Sequence, residues 1–201
     1  GLALDHEQAR RLAAAGVAVS ERIPLETVKS ALEKFRSLPG RCEPIEEGQS
    51  FRVIVDYAHT EHAIDGLLDV YRKITSGRLF IVFGAPGGGR DKSKRPKMGA
   101  AAHKFADYII VTSDDPYSED EWEIIDMVAN GIPRKEGENF WKIANRKLAI
   151  EHALSLAQTG DSVIIAGKGC EPVQLIYGQR RIYDDRHVAR EILKKRTVLH
   201  V

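Results

Sequence analysis

The sequence predicts an α/β domain built on a mainly parallel sheet with flanking helices, and three observations carry that expectation. Arg78–Phe83, Tyr108–Thr112 and Ser162–Ala166 are continuous apolar-rich runs, and each empties into a glycine-rich or acidic loop. A fourth run, Arg52–Val55, ends at Asp56-Tyr57-Ala58-His59-Thr60. Amphipathic helical stripes alternate with these runs, as crossover connections require. Strands without polar alternation are buried on both faces, which is the habit of parallel sheets. Ligands of such sheets bind outside the carboxyl ends of the strands. Asp56, Phe83, Thr112 and Ala166 should therefore end on one rim, and the loops beyond them should hold the functional groups.

The elements follow in order. Leu12, Ala15, Gly16 and Val19 keep helical spacing, and Leu25, Val28, Leu32 and Phe35 repeat it after Pro24. Pro39-Gly40 then breaks the chain, and the texture turns from alanine-rich helix to strand. The boundary is placed near residue 40, dividing 1–40 from 41–201. Two helices of this size cannot enclose a core by themselves. Beyond it, Ile64, Leu67, Leu68 and Tyr71 form one stripe, and Met98, Ala101, Ala102 and Phe105 a second. Ile150, Ala153, Leu154 and Ala157 form a third, and Val188 with Ile192 a short last one. Val173–Tyr177 and Arg180–Tyr183 flank Gly178-Gln179 and read as a hairpin, expected to close one edge of the sheet.

Composition narrows the class. The 201 residues are 43% hydrophobic, enough for a full core. Thirty basic residues against 29 acidic ones leave a net charge of +1, so no global field recruits nucleic acid or an anionic membrane. No apolar stretch approaches the ~18 residues of a membrane helix, and no n-region and h-region of a signal peptide are read in the sequence, so none is expected. Cys42 and Cys170 make no disulfide framework, and no Cys/His cluster has zinc spacing. A cytoplasmic protein is expected.

The motifs each admit a plain reading and a functional one. Gly84 and Gly89 are separated as in a P-loop, but Arg90-Asp91 follow where Lys-Ser is needed, and G-x-G-x-x-G is not met either. The loop is either a tight turn or an anion site. The cluster Arg90, Lys92, Lys94, Arg95 and Lys97 weighs for an anion, because positive charge at a helix N-terminus is otherwise unfavourable. Asp115 or Ser118 would serve as a helix N-cap, yet adjacent Asp114 and Asp115 resist joint ionisation without a nearby cation. His59 and His62 lack a completing carboxylate for a metal. Cys170 lies beside Lys168, with an ordinary small residue as the plain reading.

Gly40-Arg41-Cys-Glu43, Asp56-Tyr-Ala-His59-Thr, Gly89-Arg90-Asp-Lys-Ser-Lys-Arg95-Pro, Ser113-Asp-Asp-Pro116 and Gly167-Lys-Gly-Cys-Glu171 form an ordered set. Together they resemble the UDP-N-acetylmuramoyl-tripeptide synthetases, the MurE type of Mur ligase, from about residue 12 to residue 195. The resemblance implies that residues 1–40 are the C-terminal helices of the central, ATP-binding domain. Residues 41–201 would be the C-terminal Rossmann-like domain that brings the incoming amino acid. It implies an ATP-dependent ligase that activates a carboxylate of UDP-MurNAc-L-Ala-D-Glu as an acyl phosphate and joins an amino group to it. ATP and magnesium would be bound mainly by the central domain, whose P-loop has no counterpart here, so the 201 residues alone should neither hydrolyse ATP nor ligate. The rest of the ligase, the UDP-MurNAc-dipeptide and an amino acid would be the partners. A cyanophycin-synthetase-like ligase, or a stand-alone non-catalytic binding module, is the alternative.

Residue by residue, the resemblance implies nucleotide binding by Arg41 at a hinge, by Asp56 on the ribose and by His59 in the same loop. It implies amino-acid binding by Arg90, whose planar fork suits a carboxylate, and by Asp114, Asp115, Gly167 and Glu171. No catalytic or metal-binding residue is assigned. Three departures stand out. Glu7 and Arg10 fall where the family carries asparagines, and Cys170 replaces a histidine. Asp114-Asp115-Pro116-Tyr117 replaces the aspartate–asparagine–proline–arginine of diaminopimelate-adding members. Losing that cation and gaining an anion implies a basic amino acid of L-lysine or L-ornithine type over meso-diaminopimelate.

Overall fold

The computed structural model describes residues 6–35 and 38–199, with side chains for 11–35 and 38–196. The side chains of Glu7 and Arg10 lie outside the described residues. The chain divides into two compact units, Gly1–Leu38 and Pro39–Val201.

The first unit is a pair of helices, α1 (His6–Ser20) and α2 (Leu25–Lys34). They are joined through Arg22, whose φ of 61° lies in the left-handed region. Arg11 reaches from α1 to donate to Leu32 O at 3.5 Å. Leu12, Val17 and Leu25 are exposed, as a helix pair without a third layer must leave them.

The second unit carries β1 (Glu43–Pro44), β2 (Arg52–Asp56), α3 (Glu61–Ile74), β3 (Leu79–Phe83), α4 (Lys94–Phe105) and β4 (Tyr108–Val111). There follow α5 (Glu121–Ala129), β5 (Phe140–Lys142), α6 (Arg146–Leu156), β6 (Ser162–Ala166), β7 (Val173–Ile176), β8 (Gln179–Ile182) and α7 (Asp185–Leu199). The sheet order is β1-β2-β6-β3-β4-β5. Every pair from β2 to β5 is parallel, and only β1 runs antiparallel, against β2.

Alternate residues of the apolar strands feed two cores. Ile54, Ile81, Phe83, Ile109 and Ile164 pack with Leu67, Leu68, Met98 and Ile125 of α3, α4 and α5. Val53, Val55, Phe80, Val82, Val163 and Ile165 pack with Ile150, Leu154, Val188 and Ile192 of α6 and α7. The sheet is covered on both faces, which is why its strands need no polar alternation.

Two details depart from the reading of the sequence. The hairpin β7–β8 closes no edge of the main sheet; it is a two-stranded sheet of its own. Its anchor is a parallel bridge from Ile176 to Tyr117 and hydrogen bonds to the loop after β4. The N-cap after that loop is neither Asp115 nor Ser118 but Asp120, which accepts from Trp122 N at 2.8 Å and Glu123 N at 3.1 Å and starts α5.

Candidate functional site

Because β2, β6, β3 and β4 are parallel neighbours, Asp56, Ala166, Phe83 and Val111 end on one rim. Two glycines bring the loops beyond them together. Gly40, at φ +63°, approaches the 167–171 loop so closely that a Cβ would lie 2.0 Å from Cys170 N. Gly167, at φ +116°, leaves room for Asp114, whose Oδ2 a Cβ would meet at 2.6 Å. Neither position accepts a side chain.

An ammonium group organises the acidic residues. Lys168 Nζ, fully buried, lies 2.9 Å from Asp115 Oδ1, 3.1 Å from Glu171 Oε2 and 3.9 Å from Asp114 Oδ1. Burial alone would depress its pKa, but Asp114 and Asp115 outweigh that and raise it. Asp115 Oδ1 also accepts from Leu175 N at 2.9 Å, and Gln174 Nε2 donates to Asp114 O at 2.7 Å. Asp114 itself is different: its carboxylate accepts no hydrogen bond from a described residue. It is 5% exposed, and burial raises its pKa against the pull of Arg146 and Lys168.

Beneath this cluster is a buried ion pair. Arg146 donates from Nε and Nη2 to the two oxygens of Asp185, at 2.8 and 2.7 Å, and both side chains are fully buried. The same guanidinium donates to Ala166 O at 2.9 Å and Ser113 O at 3.4 Å. It thus ties together the strand ends that present Gly167 and Asp114.

A second group surrounds Tyr57. The Arg41 guanidinium stacks over its ring at 4.5 Å, and the His59 ring meets it edge-on at 4.7 Å. His59 Nδ1 lies 2.8 Å from the Tyr57 carbonyl, so Nδ1 carries a proton and donates. Asp56 is buried, with one oxygen accepting from Cys42 N and the other from Ala58 N, both at 2.8 Å. Its first visible role is to hold the turn that carries Arg41. Tyr57 Oη donates to Glu171 Oε1 at 3.0 Å and joins this group to the acidic one.

The basic cluster divides. Arg95 is fully buried, and Glu119 takes its Nη1 and Nη2 and the Lys92 ammonium, all at 3.1 Å. Those two cations, expected to await an anion, have one within the chain. Lys94 donates to His59 O at 3.4 Å; burial lowers its pKa, with Arg90 adding to the effect and Asp114 opposing it. Arg90 is exposed, and its side chain bonds to no described residue.

No group of three or more His, Cys, Asp or Glu side chains among the described residues could hold a metal ion. The acids that crowd at the rim are filled by Lys168 instead. A cavity of about 600 Å³ lies at the opposite, amino ends of β2 and β6, lined by Pro44, Phe51, Arg52 and Asp161 among others. It is remote from the strand-end loops.

The structure therefore gathers Asp114, Asp115, Gly167 and Glu171 in one cluster and Arg41, Asp56 and His59 in another, with Arg90 on the loop after β3. Reasoning from sequence missed Arg146, Asp185, Tyr57 and Gln174. One signal was there: Arg146 stands three and four residues before Ala149 and Ile150, on the buried face of α6. A charge in an apolar stripe needs a buried partner.

A parallel sheet covered on both faces, with its polar and charged loops at the carboxyl ends of the strands, defines an α/β domain of the Rossmann-like class. The family model for the Mur ligase glutamate ligase domain matches residues 40–169, and the chain belongs to the Mur ligase family. It is 46% identical over 183 residues to the UDP-N-acetylmuramoyl-L-alanyl-D-glutamate–2,6-diaminopimelate ligase of Syntrophomonas wolfei, covering 91% of this chain and 37% of that one. The ligase of the same name from Caldanaerobacter subterraneus subsp. tengcongensis is 45% identical over 182 residues, covering 90% and 37%. A solved structure of a ligase so named superposes with a TM-score of 0.73 at 35% identity, over 92% of this chain and 38% of that one. The UDP-N-acetylmuramate-alanine ligase of Thermotoga maritima, at 18% identity and TM-score 0.63 over 96% and 38%, shares the fold. The chain spans 37% of the length of these curated relatives. No described helix is long and apolar enough to cross a membrane.

Proposed function

We propose that this chain is the amino-acid-binding part of an ATP-dependent ligase that joins a diamino acid to UDP-MurNAc-L-Ala-D-Glu. The observation that carries the reading is charge complementarity. Among the described residues, no donor hydrogen-bonds the buried Asp114 carboxylate, which only Lys168 approaches at 3.9 Å, and no acid pairs with the Arg90 guanidinium. The Lys94 ammonium is within electrostatic reach of both. An amino acid brings one ammonium and one carboxylate to such a pair. The Arg90 fork matches the α-carboxylate, and the undonated oxygens of Asp114 take an ammonium. Asp115, Gly167 and Glu171 shape the walls around it.

Arg41 and His59 are the groups we assign to nucleotide. Among the described residues His59 Nε2 has no hydrogen-bond partner, and the Arg41 guanidinium stacks one face on Tyr57. Asp56 Oδ2 takes both Cys42 N and Cys42 Sγ, and Oδ1, taking Ala58 N, retains a second lone pair for a hydroxyl. ATP, once bound, supplies the phosphate that activates the acceptor carboxylate. This chain's residues hold and aim the amine. Magnesium is left to residues outside this chain. Residues 1–38 are assigned to the tail of the ATP-binding domain.

The names of the relatives favour diaminopimelate as the amino acid, and we take it as the substrate. L-Lysine is the second reading, favoured by Tyr117. Its charge argument is weakened by Lys168, which already neutralises Asp115. The test uses the whole protein containing this chain, with UDP-MurNAc-L-Ala-D-Glu, ATP and magnesium. Product with diaminopimelate, and a raised KM for it in Arg90→Ala, is the expected result. No product with any amino acid overturns the reading, and preference for lysine selects the second.

A further inference from the structure

Diaminopimelate has a second carboxylate at its far end, and a site that selects it needs a second cation. Tyr117 offers none. Lys168 is buried among three acids, Lys92 and Arg95 are held by Glu119, and Arg41 lies on Tyr57. Arg90 serves the first carboxylate. Lys94 is turned to His59 O. Among the arginines of these loops, Arg180 and Arg181 on β8 remain: both are exposed, and neither makes a hydrogen bond, ion pair or ring contact with a described residue.

The register of the hairpin separates these two. Leu175 turns its N–H and carbonyl toward the loop after β4, donating to Asp115 Oδ1 at 2.9 Å and accepting from Tyr117 N at 3.1 Å. Three hydrogen bonds, counting that from Gln174 Nε2 to Asp114 O, thus fix the hairpin to Asp114, Asp115 and Tyr117. Residues directly opposite in an antiparallel pair share a face. Arg181 is opposite Gln174, the residue whose side chain meets Asp114, whereas Arg180 is opposite Leu175 on the other face. Gln174 is buried and Arg181 is exposed, so that face runs from the domain out to solvent.

We propose that Arg181 is the specificity-determining residue that pairs the distal carboxylate of diaminopimelate, an assignment that rests on the ligase reading above. Its planar fork is long enough to reach back over the loop from the neighbouring strand, and it carries no competing acid. The hydrogen bonds that anchor Leu175 and Gln174 set where it stands.

The experiment is steady-state kinetics of the whole ligase with meso-diaminopimelate and, separately, L-lysine, for wild type, Arg181→Ala, Arg181→Lys and Arg180→Ala. Losing one charge-assisted pair should raise KM for diaminopimelate about 10- to 100-fold in Arg181→Ala. The lysine KM should stay within about twofold, since lysine has no distal carboxylate to lose. Arg181→Lys should fall between, and Arg180→Ala should match wild type. Equal losses on both amino acids in Arg181→Ala would reveal a merely structural residue and overturn the assignment. So would an unchanged KM, the loss appearing in Arg180→Ala, or a wild-type preference for lysine. Wild-type enzyme that ligates neither amino acid overturns the ligase reading itself, which separates the two failures.

Discussion

Lys168 and Asp115 are joined inside the domain, Nζ to Oδ1 at 2.9 Å, with the lysine side chain fully buried and the aspartate side chain 9% exposed. The same oxygen accepts Leu175 N, so one atom ties together the loop after β4, the loop after β6 and the hairpin. A buried pair of this kind is weak evidence for net stability, because desolvation offsets most of the attraction. Its removal by halves is another matter.

Lys168→Met should leave Asp114, Asp115 and Glu171 crowded without their cation. Breaking a buried pair by removing one partner costs about 3–5 kcal/mol. Urea denaturation of the 201-residue chain should show a loss of that size, partly restored by adding Asp115→Asn. A loss below about 1 kcal/mol, the range of exposed pairs, would mean that the cluster is solvated in solution.

Glu119 gives a pH-dependent prediction. Hydrogen bonds from Arg95, with Lys92 and Gly89 N adding to them, pull its pKa down from 4.5 to about 2. A carboxyl held lower in the folded state stabilises that state above its unfolded pKa, and the contribution disappears as pH falls through the folded one. Thermal unfolding of wild type should therefore lose part of its stability between about pH 4.5 and 2 through this group. Glu119→Gln should start less stable at neutral pH and show a shallower acid limb. Parallel wild-type and variant profiles would remove Glu119 from the account.

These groups show how far the sequence could be read. The strands and their common rim were legible because Arg52–Val55, Leu79–Phe83, Ile109–Val111 and Ser162–Ala166 are apolar runs with turn residues behind them. β1 and β5 were not, being two and three residues long and set by tertiary pairing alone. α5 escaped because Ile124, Ile125 and Val128 follow an acidic stretch that reads as loop. At the site, the loops that meet could be named from their motifs. Charge alone could not reveal which charges cancel: Arg95 and Lys92 lie 24 and 27 positions before their acid. Only the packed fold shows that Glu119 takes both, while the Arg90 side chain bonds to no described residue.

Gly40 is the backbone counterpart. At φ +63° an L side chain is strained, and here it would also strike Cys170 N. Strain of this kind costs of order 1–3 kcal/mol. Gly40→Ala should push the 40–42 turn away from the 167–171 loop, lower the melting temperature and speed thiol labelling of exposed Cys170. Unchanged labelling together with an unchanged melting temperature would refute the close approach.

The Arg146–Asp185 pair supports the site from below, and a double-mutant cycle separates that role from its own stability. Each single change, Arg146→Met or Asp185→Leu, strands one charge at a fully buried position and should cost about 3–5 kcal/mol. Replacing both removes the stranded charge, so the double variant should be more stable than either single one, which requires a coupling larger than the cost of the costlier single change. Function should not recover with it. Arg146 also donates to Ala166 O and Ser113 O, the carbonyls just before Gly167 and Asp114, and a methionine restores neither bond. Arg146 lowers the Asp114 pKa as well, so its loss lets that carboxyl rise further. In the whole ligase the double variant should fold, yet show a raised amino-acid KM whose pH dependence is displaced upward. Recovery of both stability and wild-type KM in the double variant would show that the pair is a structural strut and that the strand ends hold their positions without it.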